Sequence, residues 1–126
     1  MSGLSFDSNI VIDALLGYQP AHDELRRAST DGARLWISRM VWIEVMSKGE
    51  ANQLRDLEYF LSGFSIDEID GEIASRAAAL RRERSRLKSP DAIILATANI
   101  RGRILVTRNI RDFPANMLGI RIPYLL

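Results

Sequence analysis

Ser89-Pro90-Asp91-Ala92-Ile93-Ile94-Leu95-Ala96-Thr97-Ala98-Asn99-Ile100-Arg101-Gly102-Arg103-Ile104-Leu105-Val106-Thr107 reads as one complete helix-to-strand unit. Ser89 is a residue type that caps helices, Pro90 suits the first helical position, and Asp91 sets a negative charge at the positive end of the dipole. The helix so begun runs to Arg101, where Gly102 ends it. Ile104–Val106 then forms a short apolar strand that leads straight into Thr107.

The same alternation extends outward from this unit. Leu4–Phe6 reads as a strand and Asn9–Leu16 as a helix stopped by Gly17. Pro20 opens a second helix, to about Thr30, closed by Asp31-Gly32. Leu35–Ile37 is a second strand, and Ser38 caps a helix over Arg39–Lys48 that stops at Gly49. Glu50–Leu61 is amphipathic, with Leu54, Leu57 and Leu61 at helical spacing and Gly63 as its breaker. Phe64–Ile66 is a third strand, and Ile69–Arg84 a long helix with Ile73, Ala77 and Leu80 on one face. Ile120–Ile122 forms a fifth strand before Pro123. Short strands separated by helices imply parallel pairing through right-handed crossovers. The expected fold is a single three-layer α/β domain over residues 1–126, with a mostly parallel sheet of four to five short strands flanked by helices. The first and fourth strands are its natural central neighbours. In such sheets ligands bind beyond the carboxyl ends of the strands.

Composition narrows the chemistry. The 126 residues include no cysteine, which removes disulfides, thiolate zinc sites and a cysteine nucleophile. The single histidine, His22, lies in a polar segment beside Asp23 and Glu24, so a histidine-based nucleophilic triad is not expected. The longest apolar runs, Met40–Met46 and Ala92–Ala98, are too short to span a bilayer, and the amino-terminal residues lack a signal-peptide pattern. A soluble, cytoplasmic protein with no membrane partner is expected. Net charge is only +1, but Arg81, Arg82, Arg84, Arg86 and Lys88 form a dense basic cluster. That cluster reads either as a solvated helix end favoured by the dipole or as a contact for nucleic-acid phosphates.

Four acids stand where the fold would gather them. Asp7 follows the first strand, Asp91 lies in a helix first turn, and Asp112 follows the fourth strand. Glu44 interrupts the apolar run Met40-Val41-Trp42-Ile43-Glu44-Val45-Met46, and burial there would be costly without a partner. Singly, the first three have ordinary explanations as a helix cap, a dipole charge and a turn carboxylate. Together they would repel, at about 5 Å and an effective dielectric near 20, by roughly 3 kcal/mol per pair. A cluster of that kind calls for a hard cation, Mg²⁺ or Mn²⁺.

These segments resemble the PIN-domain nucleases, specifically the VapC toxins of toxin–antitoxin pairs. Phe6-Asp7-Ser8-Asn9-Ile10-Val11-Ile12-Asp13 is similar to the family's opening motif. Ser38-Arg39-Met40-Val41-Trp42-Ile43-Glu44 looks like its second motif. Pro90-Asp91-Ala92-Ile93-Ile94-Leu95-Ala96-Thr97-Ala98 and Val106-Thr107-Arg108-Asn109-Ile110-Arg111-Asp112-Phe113 are close to its third and fourth. The resemblance spans essentially the whole chain. It implies a metal-dependent endoribonuclease that cuts structured RNA, tRNA or rRNA, with one or two Mg²⁺ or Mn²⁺ ions activating water. Asp7 and Asp91 become principal ligands, and Glu44 and Asp112 complete the shell. Asn9, Thr107 and Asn109 support the site, Asn109 being an alternative to Asp112 for its completion. Arg108, Arg111 and the cluster of Arg81, Arg82, Arg84 and Arg86 become candidates for gripping RNA. A VapB-like antitoxin and a homodimer are implied as partners, with Trp36, Trp42, Tyr59 and Phe60 either lining the antitoxin groove or belonging to the core.

Two other readings fit acids at strand ends. One is a catalytically silent PIN-type RNA- or protein-binding module. The other is a Mg-dependent phosphoacceptor or phosphatase domain. That domain needs a second acid where Asn9 stands and a late lysine, whereas no lysine follows Lys88.

Overall fold

The computed structural model describes residues 3–126. Five strands, β1 (Leu4–Phe6), β2 (Leu35–Ser38), β3 (Ser65–Asp67), β4 (Ile104–Val106) and β5 (Ile120–Arg121), form one sheet in the order β3-β2-β1-β4-β5. Every pairing is parallel. Six helices connect them: α1 (Ser8–Leu15), α2 (Gln19–Thr30), α3 (Arg39–Lys48), α4 (Leu54–Leu61), α5 (Gly71–Glu83) and α6 (Ser89–Arg101). Adjacent strand residues point to opposite faces of a sheet. Ser5 and Phe6, Ile37 and Ser38, and Leu105 and Val106 are all fully buried. Both faces are therefore covered, which is the expected three-layer arrangement.

The order places the topological switch between β1 and β4. The chain leaves β1 toward β2 and β3 on one side, then returns to pair β4 on the other. Phe6 lies opposite Val106, and the Asp7 N–H continues the ladder by donating to the Val106 carbonyl at 2.9 Å. Asp7 and Thr107 thus leave the sheet side by side. The core beneath them is built from Phe6, Ile10, Ile37, Ile94, Leu105 and Phe113.

Local differences from the sequence reading have identifiable causes. Ser89 does not cap α6, because it is already helical. Lys88 occupies the cap position with no side-chain bond, and proline falls within the first turn. The helix expected from Ile69 begins at Gly71, because the Asp70 carboxylate accepts from the Ile73 N–H at 2.9 Å and caps it there. It ends at Glu83, so the basic cluster does not sit on one helix end but straddles the turn into α6. The segment from Glu50 splits into a 3₁₀ turn, Ala51–Gln53, and α4. The apolar run around Glu44 is also less buried than its composition suggests. Only Val41 and Val45 of α3 are buried, Ile43 is 42% exposed, and Glu44 is partly exposed.

One buried charge cluster sets an acid limit to stability. Glu24 of α2 is 5% exposed. It accepts bidentate bonds from Arg121 of β5 at 2.8 and 2.9 Å, and from Arg27 at 2.9 and 3.3 Å. Burial alone would raise its pKa, but Arg121 and then Arg27 outweigh that and hold it at about 2. Because the folded value is depressed, the stabilisation is complete above the unfolded value near 4.5 and is lost as pH falls through about 2. Acid titration of wild type against Glu24→Gln is expected to show a stability gap of about 2 kcal/mol at pH 7 that closes between roughly pH 4.5 and 2. A pH-independent gap would assign Glu24 a packing role only.

Candidate active site

The site forms where β1 and β4 end, with Glu44 from the second turn of α3 and Asp91 from the first turn of α6. Asp7 is 3% exposed. Its Oδ1 accepts from the Ser8 N–H at 2.8 Å, so it caps α1. Its Oδ2 accepts from the Thr107 hydroxyl at 2.7 Å and from Asn9 Nδ2 at 3.3 Å. Thr107 is itself fixed, since its oxygen accepts from the Asn109 N–H at 3.0 Å and from Asn9 Nδ2 at 3.3 Å. The expected supporting residues Asn9, Thr107 and Asn109 are thus placed around the first acid. Burial pushes the Asp7 carboxyl up. The bonds from Thr107 and Ser8 oppose that, Glu44 adds to it, and Arg108 works against it.

Asp91 lies in the first turn of α6, and among the described residues its carboxylate has no hydrogen-bond or ion-pair partner. Its carboxyl is pushed up to about 6 by burial, then by repulsion from Asp7, Asp112 and Glu44 in that order, with Lys88 offsetting part. That response joins the four acids electrostatically, and Asp91 is where their uncompensated charge falls. Glu44 accepts a short hydrogen bond from the Ser8 hydroxyl. Ser8 is the contact that sequence reasoning missed, and nothing in its type or spacing distinguishes it from any serine in a helix first turn. The Asp112 carboxylate accepts from Asn109 Nδ2 at 3.0 Å, while its N–H donates to Asn109 Oδ1 at 3.2 Å. Asn109 and Asp112 are therefore a linked pair in one turn.

Among the described residues no three acids converge into a ready metal cage. The donor set still suits Mg²⁺ or Mn²⁺. All its donors are oxygens, their charge is unneutralised at Asp91, and magnesium is commonly bound by one or two carboxylates with water and phosphate filling the rest.

The arginines separate into groups. Arg81 Nε donates to the Leu87 carbonyl at 2.9 Å, and Arg84 Nη2 to the Asp112 carbonyl at 2.5 Å. These two brace the α5–α6 turn and the Asp112 turn. Arg108 forks onto Asp13 at 2.6 and 3.1 Å. Arg82, Arg86 and Arg111 are exposed. The aromatic residues do not share one surface. Trp42 packs on the core beneath Arg39, Phe60 packs against Phe64, and Trp36 lies 3.5 Å from Arg103. Tyr59 is 82% exposed.

The chain is similar to a component of a toxin–antitoxin complex from Klebsiella pneumoniae at 38% identity and a TM-score of 0.86, over 98% of this chain and 100% of that one. It shares its fold with a chain of the DNA-bound VapBC from Salmonella typhimurium (24% identity, TM-score 0.77, 96% of each chain). The same holds for VapBC2 from Rickettsia felis bound to a promoter DNA fragment (21% identity, TM-score 0.76, 93% of this chain and 94% of that one). No curated protein matches the chain. No helix among the described residues is long and apolar enough to cross a membrane. The PIN domain model matches residues 5–115, which takes in the whole acid pocket, and the chain belongs to the PIN-domain family.

Proposed function

We propose that this protein is a divalent-metal-dependent endoribonuclease that hydrolyses phosphodiester bonds in structured RNA, tRNA or rRNA, as the cytoplasmic toxin of a toxin–antitoxin pair. The observation that carries the reading is the carboxyl of Asp91, pushed up to about 6 by burial and by three other acids at the switch point of a PIN fold. The similarity to the Klebsiella pneumoniae toxin–antitoxin complex supports the toxin role and a VapB-like antitoxin as partner. The exposed apolar residues Ile43 of α3 and Tyr59 of α4 suit contact with that antitoxin or with a second copy in a homodimer.

Asp7 and Asp91 would hold the cation, and Glu44 and Asp112 would complete its surroundings. The chemistry a bound Mg²⁺ or Mn²⁺ would supply there is a water made nucleophilic at neutral pH and an offset to charge developing on the phosphate. Thr107 and Asn9 fix the Asp7 carboxylate in one orientation, so no reorganisation is needed as substrate arrives. Asn109 holds Asp112 in its turn, and Ser8 holds Glu44. Arg82, Arg86 and Arg111, exposed and lacking the braces of Arg81 and Arg84, contact RNA phosphates and set position rather than sequence.

The test is incubation of the purified protein with a mixed tRNA and rRNA pool in Mg²⁺, Mn²⁺ or EDTA, beside Asp7→Asn. Cleavage that needs metal and disappears in the variant is expected. Cleavage that persists in Asp7→Asn would displace the site. An inactive protein that also binds no metal by calorimetry would leave the silent binding module as the better reading.

A further inference from the structure

Beside the acid pocket lies a second charged assembly, in which Arg108, expected from the sequence to grip RNA, is instead held by Asp13. Arg108 follows Thr107 directly, and its N–H donates to Asn9 Oδ1 at 3.4 Å, so its backbone sits at the pocket rim. Its side chain is turned aside. Nε and Nη2 fork onto Asp13 of α1 at 2.6 and 3.1 Å. Asp13 is 7% exposed, and its Oδ2 accepts a third bond, 2.8 Å, from the Tyr124 hydroxyl near the carboxyl end of the chain. Tyr124 is seated edge-on against Tyr18, with ring centroids 5.3 Å apart. The Tyr18 N–H in turn donates to the Asp13 carbonyl at 2.9 Å. One carboxylate, steadied by Tyr124 and by the Tyr18 ring packed on it, thus holds one guanidinium.

The held charge still reaches the pocket. Arg108 and Asp7 each act on the other electrostatically. An arginine freed at this rim would meet four acids whose charge is not neutralised. A guanidinium forks readily onto carboxylates and remains charged at any working pH. It would compete there with a divalent cation. We propose that Asp13, steadied by Tyr124, is a positioning residue that holds Arg108 out of the acid pocket and so preserves the pocket's affinity for a divalent cation. The inference rests on the metal-dependent reading above, and it makes the carboxyl-terminal segment part of the site.

Calorimetric titration of Mn²⁺ into the protein tests it, with circular dichroism as the check on folding. Asp13→Asn is expected to bind Mn²⁺ about tenfold or more weakly, the range typical when a residue that orients a metal site is lost. Adding Arg108→Ala to that variant is expected to restore affinity to near the wild-type value. A merely structural role for Asp13 would not be reversed by deleting its partner. Unchanged affinity in Asp13→Asn, or a loss that the double variant does not recover, would overturn the inference. Should Asp13→Asn not fold, Tyr124→Phe carries the test, with a smaller loss that Arg108→Ala reverses, and no loss overturns it. Wild type that binds no Mn²⁺ would sink the metal-dependent reading itself, an outcome distinct from an intact wild-type site with an indifferent Asp13→Asn.

Discussion

Asp91→Asn is expected to make the metal-free protein more stable while lowering RNA cleavage by at least about 10³-fold. Both effects come from one cause. The wild-type carboxyl is partly buried among three other acids, which push it up to about 6. Its folded pKa therefore lies above the unfolded value of 3.8. For an acid so raised, the linked stability is fully present below the unfolded value and is lost as pH rises through the folded one. At pH 7 the ionised carboxylate costs the apo protein about 1–2 kcal/mol, once solvent screening at this partly exposed position is allowed for. An amide of the same shape escapes that cost. The melting temperature of Asp91→Asn should exceed that of wild type by roughly 3–8 °C at pH 7 in EDTA. The gap should shrink toward zero by about pH 4, where the wild-type carboxyl is protonated.

Metal should reverse the order. A bound cation stabilises the folded state by mass action, by about 2.7 kcal/mol at a hundred times its Kd. Wild type should gain that on addition of Mg²⁺ or Mn²⁺, and the variant should gain little. A variant less stable than wild type at pH 7 without metal would mean that Asp91 is compensated by a partner, and the acid cluster would lose its main support. The expected pair of results, apo stability regained and cleavage lost on removing one acid, would make the site a case of stability given up for function.

Much of this site is legible in the sequence because its acids are tied to local signals. Asp7 ends a strand, Asp91 opens a helix, and Asp112 follows the next strand, so the wound topology that brings β1 beside β4 brings them together as well. Apart from the segment from Glu50, where α4 begins only at Leu54, periodicity places the strands and helices to within one or two residues, and Gly17 and Gly102 mark helix ends because each adopts a positive φ. Glu44 was legible for a weaker reason than expected. The run around it is apolar on nearly every side, yet only Val41 and Val45 of α3 are buried, and what holds the Glu44 carboxylate is the Ser8 hydroxyl rather than a closed apolar shell. The arginines were not legible. Arg81, Arg82, Arg84 and Arg86 are identical in type and adjacent in sequence. Which of them donates to a carbonyl across a turn depends on where α5 ends. The bonds of Asp13 with Arg108 and Tyr124 join residues far apart in the chain, and no local pattern records a contact at that separation.

Phe113→Ala should have the largest effect on stability of any single change near the site. The turn that carries Asp112 has no regular secondary structure, so something else must fix it. Local hydrogen bonds contribute, through the Asn109–Asp112 pair and the Phe113 N–H donating to the Asn109 carbonyl at 3.0 Å. Arg84 contributes a bond to the Asp112 carbonyl. These bonds border on water, where each is worth only about 0.5–1.5 kcal/mol. Phe113 is different, because its ring is fully buried in the core cluster with Phe6 and Leu105. Truncation to Ala removes that burial and leaves a cavity, at a cost of about 3–5 kcal/mol. Set against a total of roughly 5–15 kcal/mol for a domain, that loss places the variant near unfolding at 37 °C. Phe113→Leu separates stability from placement. It keeps most of the buried volume and should fold, but it loosens the turn, so RNA cleavage should fall further than its melting temperature explains. Denaturant unfolding of both variants, with cleavage assayed below their transitions, checks the argument. A Phe113→Ala protein that lost less than about 1 kcal/mol would show that the turn is held by its hydrogen bonds alone. The anchor for Asp112 would then have to be sought in Arg84 instead.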